Sequence, residues 1–295
     1  MRKSVWAKLG ASGNARLPSC GCGGLASCAV GVLLMCWTLS VCAAELRVAV
    51  VGGLELCGFW PGLAARIEAA TGVRIVTVPG GPKEAVVPLF RSGAAELLLI
   101  HGGDEAFALT DEAIAGAIDV WGFNGHVLVG PADDPARVGE AASAVEAFRR
   151  LSQAGSPFVA FRDPGSHGIV QRLWRRSGVH ADPKWVLLDE TRDPHEILAF
   201  AQARRAYVVV GHIPVAFGKL PLGNLRVLHS GDPAMRRAYV ALTPGRLHPA
   251  GAASREAARI VVEHLLSSAG QRDLIEADAE AGGPWVYPRA APAQE

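Results

Sequence analysis

Residues 158–178 read FVAFRDPGSHGIVQRLWRRSG, and the order of apolar run, turn and periodic helix in this stretch sets the fold class. The run 158–161 is short and apolar, as a buried strand would be. Arg162-Asp163-Pro164-Gly165 reads as a turn. Ser166 is expected to cap a helix that starts at His167, because its hydroxyl can accept from an unpaired backbone N–H. Ile169 and Leu173 share a helical face, with Val170 and Trp174 beside them, and Gly178 ends the helix. A strand running straight into a helix aims free N–H groups and the positive end of the helix dipole into the turn, which attracts anions. Arg162 adds a full positive charge there. The same order also serves ordinary strand-to-helix connections, so the rest of the chain has to decide.

Working outward, strand and helix signals alternate. Residues 45–51 alternate and are rich in valine, which predicts a strand running into Gly52-Gly53. A helix is expected from about residue 62. A second strand, 73–78, runs into Pro79-Gly80-Gly81, followed by a helical stretch over 84–91. A third strand, 96–100, passes through His101 into Gly102-Gly103. Three strands therefore each end in a glycine pair, where backbone N–H groups can approach a ligand closely. In open α/β sheets ligands sit beyond the carboxyl ends of the strands. Residues 111–117 read as helical, 127–129 as a strand stopped by Gly130-Pro131, and 141–154 as a helix. Strands follow at 185–188, 207–210, 225–228 and 238–243, with a helix over 194–204. Residues 254–268 form an amphipathic helix ended by Gly270, and 273–279 a last helix before a tail with Trp285 and Tyr287. An α/β unit inserted into another implies two lobes joined by two crossing strands: 44–130 plus 238–295, and 131–237. Ligands favour the cleft between such lobes.

The first 43 residues differ from the remainder. Their only charges are Arg2, Lys3, Lys8 and Arg16, an apolar core runs over 25–39, and Val41-Cys42-Ala43 is a small-residue cleavage pattern. This reads as a secretory signal, whose apolar core falls short of the roughly 20 residues a membrane span needs. Lipid anchoring at Cys42 is the lesser alternative. Removing the signal takes the formal charge from +1 to −3, so the mature chain has no broad basic field for nucleic acid. It also removes five of the six cysteines, leaving Cys57 with no partner for a disulfide.

No catalytic constellation is visible. Ser166 lies between Gly165 and His167, but Pro164 stands where a hydrolase elbow needs glycine. There is no phosphate-binding P-loop, no complete dinucleotide fingerprint and no His-Glu-x-x-His helix. His101, His126, His167 and His212 fall near strand ends and could converge on a transition metal, though metal-ligand spacing is absent. Lys83, just past Gly80-Gly81, could neutralise an anion or simply be solvated. Asn124 could donate to a ligand or hold a turn.

The ordered set Thr71-Gly72-Val73, Gly80-Gly81, Asn124, Val129-Gly130-Pro131, Asp134-Pro135, Pro157-Phe158-Val159 and Arg162-Asp163…Gly165-Ser166-His167 carries a family likeness. It continues through Leu173-Trp174, Ser177-Gly178, Trp185, Ala206-Tyr207, Gly231-Asp232-Pro233-Ala234, His248-Pro249 and Tyr287-Pro288. On these residues the chain from 45 to 290 resembles the tungstate-type oxyanion-binding proteins of bacterial ABC importers, which have the type II periplasmic solute-binding fold. The resemblance implies an α/β protein with two lobes, each a mostly parallel sheet flanked by helices, that closes on an anion in the periplasm. It also implies that this monomer delivers the anion to a membrane permease, with no enzyme activity, no cofactor and no resident metal. Its site residues are then expected among Gly52, Gly53, Gly80, Gly81, Lys83, Asn124, Arg162, Ser166, His167 and His212, with Arg162 able to grip an oxyanion bidentately. The chain departs from the family at ligand-contacting positions. The hydroxyl-rich turn after the first strand is Val51-Gly52-Gly53-Leu54-Glu55 here. The serine before the arginine becomes Ala160 or Phe161, a Thr-Asp-Arg segment becomes Val210-Gly211-His212, and an Asn-Pro before the return strand becomes Arg237-Ala238. A changed ligand, such as a transition metal ion or a small organic acid, or a sensor or interaction role, is the alternative.

Overall fold

A computed structural model describes residues 44–289; the expected signal sequence, its cleavage point and Cys42 lie outside the described residues. The chain opens with β1 (Glu45–Val50), α1 (Gly52–Leu56), α2 (Phe59–Thr71), β2 (Arg74–Thr77), α3 (Lys83–Arg91), β3 (Leu97–His101) and α4 (Asp104–Asp111). Next come the seventeen-residue β4 (Ala115–Pro131), α5 (Ala144–Ala154), β5 (Phe158–Ala160), α6 (Pro164–Ser177) and β6 (Val186–Leu188). The chain continues through α7 (Ile197–Ala203), β7 (Tyr207–Gly211), α8 (His212–Ala216) and β8 (Leu225–His229). It ends with β9 (Arg236–Pro244), α9 (Ala252–Leu266), α10 (Ser268–Glu280) and β10 (Val286–Pro288).

Several local expectations need correction. Asp163, not Ser166, caps α6: its carboxylate accepts from the Ser166 N–H at 2.8 Å, and Pro164 takes the first helical position, where its missing N–H costs nothing. Residues 111–117 are not a helix. They end α4 and open β4, because Ile118 and Val120 pair with Leu242 and Val240 of β9, and that pairing outweighs local propensity. Helix α2 begins at Phe59, three residues early, with Pro61 tolerated in its first turn. Gly270 does not stop α9. Ser267 ends that helix and caps α10 by accepting from the Gly270 N–H at 3.0 Å.

The strands lie in the order β2-β1-β3-β9-β4-β7-β5-β6, with β8 and β10 also on β4. Pairs β1–β2, β1–β3, β5–β6 and β5–β7 are parallel. Every pairing that involves β4 or β9 is antiparallel. The sheets are thus parallel at their flanks and antiparallel where the chain crosses. At about 3.3 Å per residue β4 runs roughly 55 Å. Its first half pairs with β9 and β10, its second with β7 and β8.

Apolar side chains gather accordingly. Leu97, Leu98, Leu99 and Ile100 of β3 are fully buried, as expected of a strand covered on both faces. With Phe59, Trp60, Trp121, Tyr239 and Leu274 they belong to one core. On the second half, Phe148, Phe158, Trp174 and Tyr207 pack on one sheet face, and Val127, Val159, Val208 and Ile197 on the other. Ile213 crosses this division: α8 follows a second-half strand, yet Ile213 is buried in the first-half core. Replacing Ile213 with Ala is expected to cost about 2–5 kcal/mol of unfolding free energy, measured by urea denaturation, because the core cannot close over the lost methyls.

Candidate functional site

The first half presents its strand ends together. Val51 bridges to Gly81, and the Gly52 N–H donates to the Gly81 carbonyl at 2.8 Å. The turns bearing Gly52-Gly53 and Gly80-Gly81 are therefore one surface, as expected. Glu55 occupies part of it. Its carboxylate lies across Gly80, where a Cβ would overlap it and push this exposed side chain aside. Burial pushes the Glu55 carboxyl above its usual range, and the Gly80 N–H partly opposes this.

Lys83 reaches from the second turn to the third. Its ammonium pairs with Glu105 at 2.6 Å and lies beside Gly103. Burial acts upward on Glu105, but Lys83 outweighs it and holds that carboxyl below its ordinary range, with Arg237 adding to the effect.

Arg237 is the group on which these turns converge. Its Nη2 donates to the Gly102 carbonyl at 3.2 Å and sits beside Gly103. On the other side, a methyl placed on Gly165 would come within 2.5 Å of its Nη1, so the first turn of α6 must be bare there. One guanidinium thus touches the turn after β3 in the first half and the helix start of the second. Among the described residues no carboxylate lies within ion-pair distance of it, and Gly102 is its only hydrogen-bond acceptor. Burial lowers its pKa while the Asp163 and Glu105 carboxylates oppose that, and an arginine remains charged throughout.

Strand pairing adds the neighbours. Asn124 is directly opposite Arg237 across β4–β9, and His101 is opposite Tyr239 across β3–β9. Alternation puts Arg237 and Tyr239 on one face, with Asn124 and His126 on the same face of β4. The His101 and Tyr239 rings stack at 4.7 Å. Three polar atoms in this region have no hydrogen-bond partner: Asn124 Oδ1, His126 Nδ1 and Ser166 Oγ. Their residues are 7%, 4% and 0% exposed. Burial depresses His126 to about 4, and the nearby Arg237 and Arg172 add to this against the pull of Asp163. Burial likewise drives His101 well below the usual histidine value, with Arg237, His126 and Lys83 contributing. Both imidazoles are neutral at pH 7 and each carries one N–H donor.

Three expected site residues are placed elsewhere. The Arg162 side chain is 67% exposed; its Nε lies 3.3 Å from the Asp189 carboxylate and its Nη2 donates to the Thr191 carbonyl at 2.5 Å. Burial acts upward on Asp189, but Thr191 and Arg162 outweigh it and keep that carboxyl low. His167 is exposed on α6, and His212 packs against Trp285 with ring centroids 5.2 Å apart and planes tilted by 46°. Ser166 and His167 share no hydrogen bond, and among the described residues no group of three or more His, Cys, Asp or Glu side chains can hold a metal ion. A surface cavity of about 460 Å³ next to Arg162's partners is lined by Glu190, Asp193 and Glu196 together with Arg192, so carboxylates outnumber cations there, which disfavours an anion. Arg237 carries no ligand role in the sequence reading, and His126 appears there only as a possible metal ligand. The available signal was a charged pair, Arg236-Arg237, heading an otherwise apolar strand.

This architecture is the two-lobed α/β fold of type II periplasmic binding proteins. The tungstate-binding protein TupA of Desulfovibrio alaskensis G20 superimposes with a TM-score of 0.63 at 19% identity, covering 84% of this chain and 100% of that one. In sequence the chain is similar to a Haloferax volcanii protein assigned as an ABC transporter anion-binding protein, with 32% identity over 144 residues, 48% of this chain. That alignment spans only 41% of the Haloferax protein's length. It is also 25% identical over 229 residues to a Peptoclostridium acidaminophilum protein named tungstate-binding protein TupA, covering 75% of this chain and 77% of that one. No family model matches the chain.

His126 gives this site a pH signature. Its folded pKa lies below the unfolded value of about 6.5, so the unfolded chain takes up the proton first. The stabilisation is complete above about pH 6.5 and is lost as pH falls toward 4, up to about 3 kcal/mol. Urea midpoints between pH 7 and pH 4.5, with the His126 ring resonances followed by NMR to a midpoint near 4, check this.

Proposed function

We propose that this protein is an exported solute-binding protein that captures a small oxyanion in the crevice between its lobes and passes it to the permease of an ABC importer. The lobes are taken as residues 44–130 with 238–295, and 131–237. The supporting observation is the Arg237 guanidinium, which touches both halves yet has no carboxylate partner among the described residues. Around it, Ser166, Asn124 and His126 each bury a polar atom without a partner, at about 1–3 kcal/mol apiece if left so. An oxyanion would satisfy these groups together. The Ser166 hydroxyl and a His126 Nδ1–H donate, and the Asn124 amide donates once its oxygen and nitrogen are exchanged, an assignment that follows the hydrogen-bond network. The α6 N-terminus adds its dipole.

Tungstate and molybdate are candidates through the names of the similar proteins. Nothing in this reading needs a covalent step. Capture by a monomer and lobe closure recognised by a permease suffice. The anionic ligand is favoured over a transition metal because the unpaired charge at the crevice is a cation. In this reading Arg162 braces the loop that carries Asp189 and Thr191 rather than holding the ligand.

Calorimetric titration of the purified mature protein with tungstate, molybdate, sulfate, phosphate and zinc is the direct test, and an oxyanion should outcompete zinc. Arg237→Gln should then weaken anion affinity at least tenfold, about 1.4 kcal/mol, while Arg162→Gln changes it less than threefold. The reverse ranking would return the ligand to Arg162, and zinc binding with no oxyanion response would overturn the capture of an anion.

A further inference from the structure

Three charged side chains meet at Gly103. A methyl placed on that glycine would lie 3.6 Å from Arg237 Nη2, 3.6 Å from Lys83 Nζ and 3.7 Å from a Glu105 carboxylate oxygen. Lys83 and Glu105 are joined directly at 2.6 Å. The Lys83 side chain is only 14% exposed, so water screens this pair less than it screens an ordinary surface ion pair. No ion pair joins Glu105 to Arg237 among the described residues, yet the carboxylate's charge acts on the guanidinium. Asp163, the other carboxylate that acts on Arg237, caps α6 through the Ser166 N–H at 2.8 Å, where the positive end of the helix answers its charge. Around Gly103 two cations therefore face one carboxylate, and the lysine's charge is spent on it. The charge of Arg237 is left over.

We propose that Glu105 is a specificity-determining residue that limits the charge of the captured anion by holding the Lys83 ammonium. This rests on the capture of an anion at Arg237. An anion held by that guanidinium sits next to the Lys83–Glu105 pair and interacts with all three charges. Arg237 answers a first negative charge. A second finds Lys83 already paired and meets the Glu105 carboxylate as a like charge. Coulomb energy grows in proportion to ligand charge, so Glu105 penalises a dianion twice as much as a monoanion of the same shape. Releasing Lys83 reverses the balance, because an ammonium on a flexible stem can turn to a new partner. Glu105 thus acts on the ligand's charge rather than its shape. The neighbouring imidazoles leave this count unchanged, since His101 and His126 are both neutral at pH 7.

Tungstate and perrhenate separate charge from shape, because both are tetrahedral four-oxygen ions and they differ by one unit of charge. Sulfate and perchlorate repeat the comparison at a smaller size. Each is titrated calorimetrically into the mature protein at pH 7.5 and low ionic strength, and the readout is the ratio of the two affinities within a pair. Glu105→Gln, which keeps the side chain's shape and frees Lys83, should shift the ratio toward the dianion by about threefold or more. Lys83→Met, which leaves Glu105 beside Arg237 without its partner, should shift it toward the monoanion by about as much. The double variant should fall between the two single ones. A substitution that merely loosened the turn would weaken both ions of a pair alike and leave the ratio where it was. A ratio unmoved by Glu105→Gln, or one that shifts in the same direction in both single variants, would overturn the role of Glu105 while leaving anion capture standing. If no oxyanion binds either the unmodified protein or Glu105→Gln, the capture reading itself fails and this one with it.

Discussion

One side chain ties the molecule's two halves to a single point. Arg237 lies on β9, touches the turn after β3 through Gly102 and Gly103, and lies against Gly165 at the start of α6. Pairing of β9 with the first half of β4 sets Arg237 opposite Asn124, next to the point where β4 turns to pair with β7 and β8. A half-buried guanidinium with no carboxylate at ion-pair distance among the described residues is costly, since burial disfavours its charge and one carbonyl satisfies few of its five donors. Proteins retain such a group where something outside the chain completes it. The bare Gly165 follows from the same constraint, because any side chain there would displace the arginine.

The electrostatics around Arg237 are local. The chain has nearly balanced charge, +1 over its whole length, so no long-range field draws a ligand in. Neighbouring cations and carboxylates largely cancel, as with Lys83 and Glu105. What remains among the described residues is a short list of uncompensated groups: the Arg237 guanidinium and the buried polar atoms of Asn124, His126 and Ser166. Their donor and acceptor character, together with that one unpaired charge, is what a ligand would read. Depressed histidine pKa values keep the site from gathering further positive charge near neutral pH.

The division between the halves is not clean. Ile213 leaves a second-half strand and is buried with first-half side chains, and His212 and Phe217 on either side of it pack against Trp285 near the chain's end. Any hinge motion between these halves would have to carry α8 with the first half or expose Ile213. Burial of a whole isoleucine is worth about 1.5–3 kcal/mol, comparable to the differential binding energy that typically drives such closures.

The alternation of apolar runs with periodic helices, and the glycine pairs after three strands, specified an inserted α/β fold from residues alone. Both signals are local: period and backbone permissiveness are written in neighbouring positions. The turn chemistry of residues 162–166 was legible too, although the cap proved to be Asp163, because aspartate and serine three residues apart compete for the same unpaired N–H groups. Arg162 looked like the ligand residue because it neighbours the anion-attracting turn in sequence. Asp189, 27 positions away, draws it off. Arg237 and Glu55 looked like losses of known contacts, since nothing local shows that one meets Gly165 and the other Gly80. Sequence thus determined where ligand-lining turns occur, while the long-range pairing of β4 with β9, and of the first turn with the second, decided which side chains reach them.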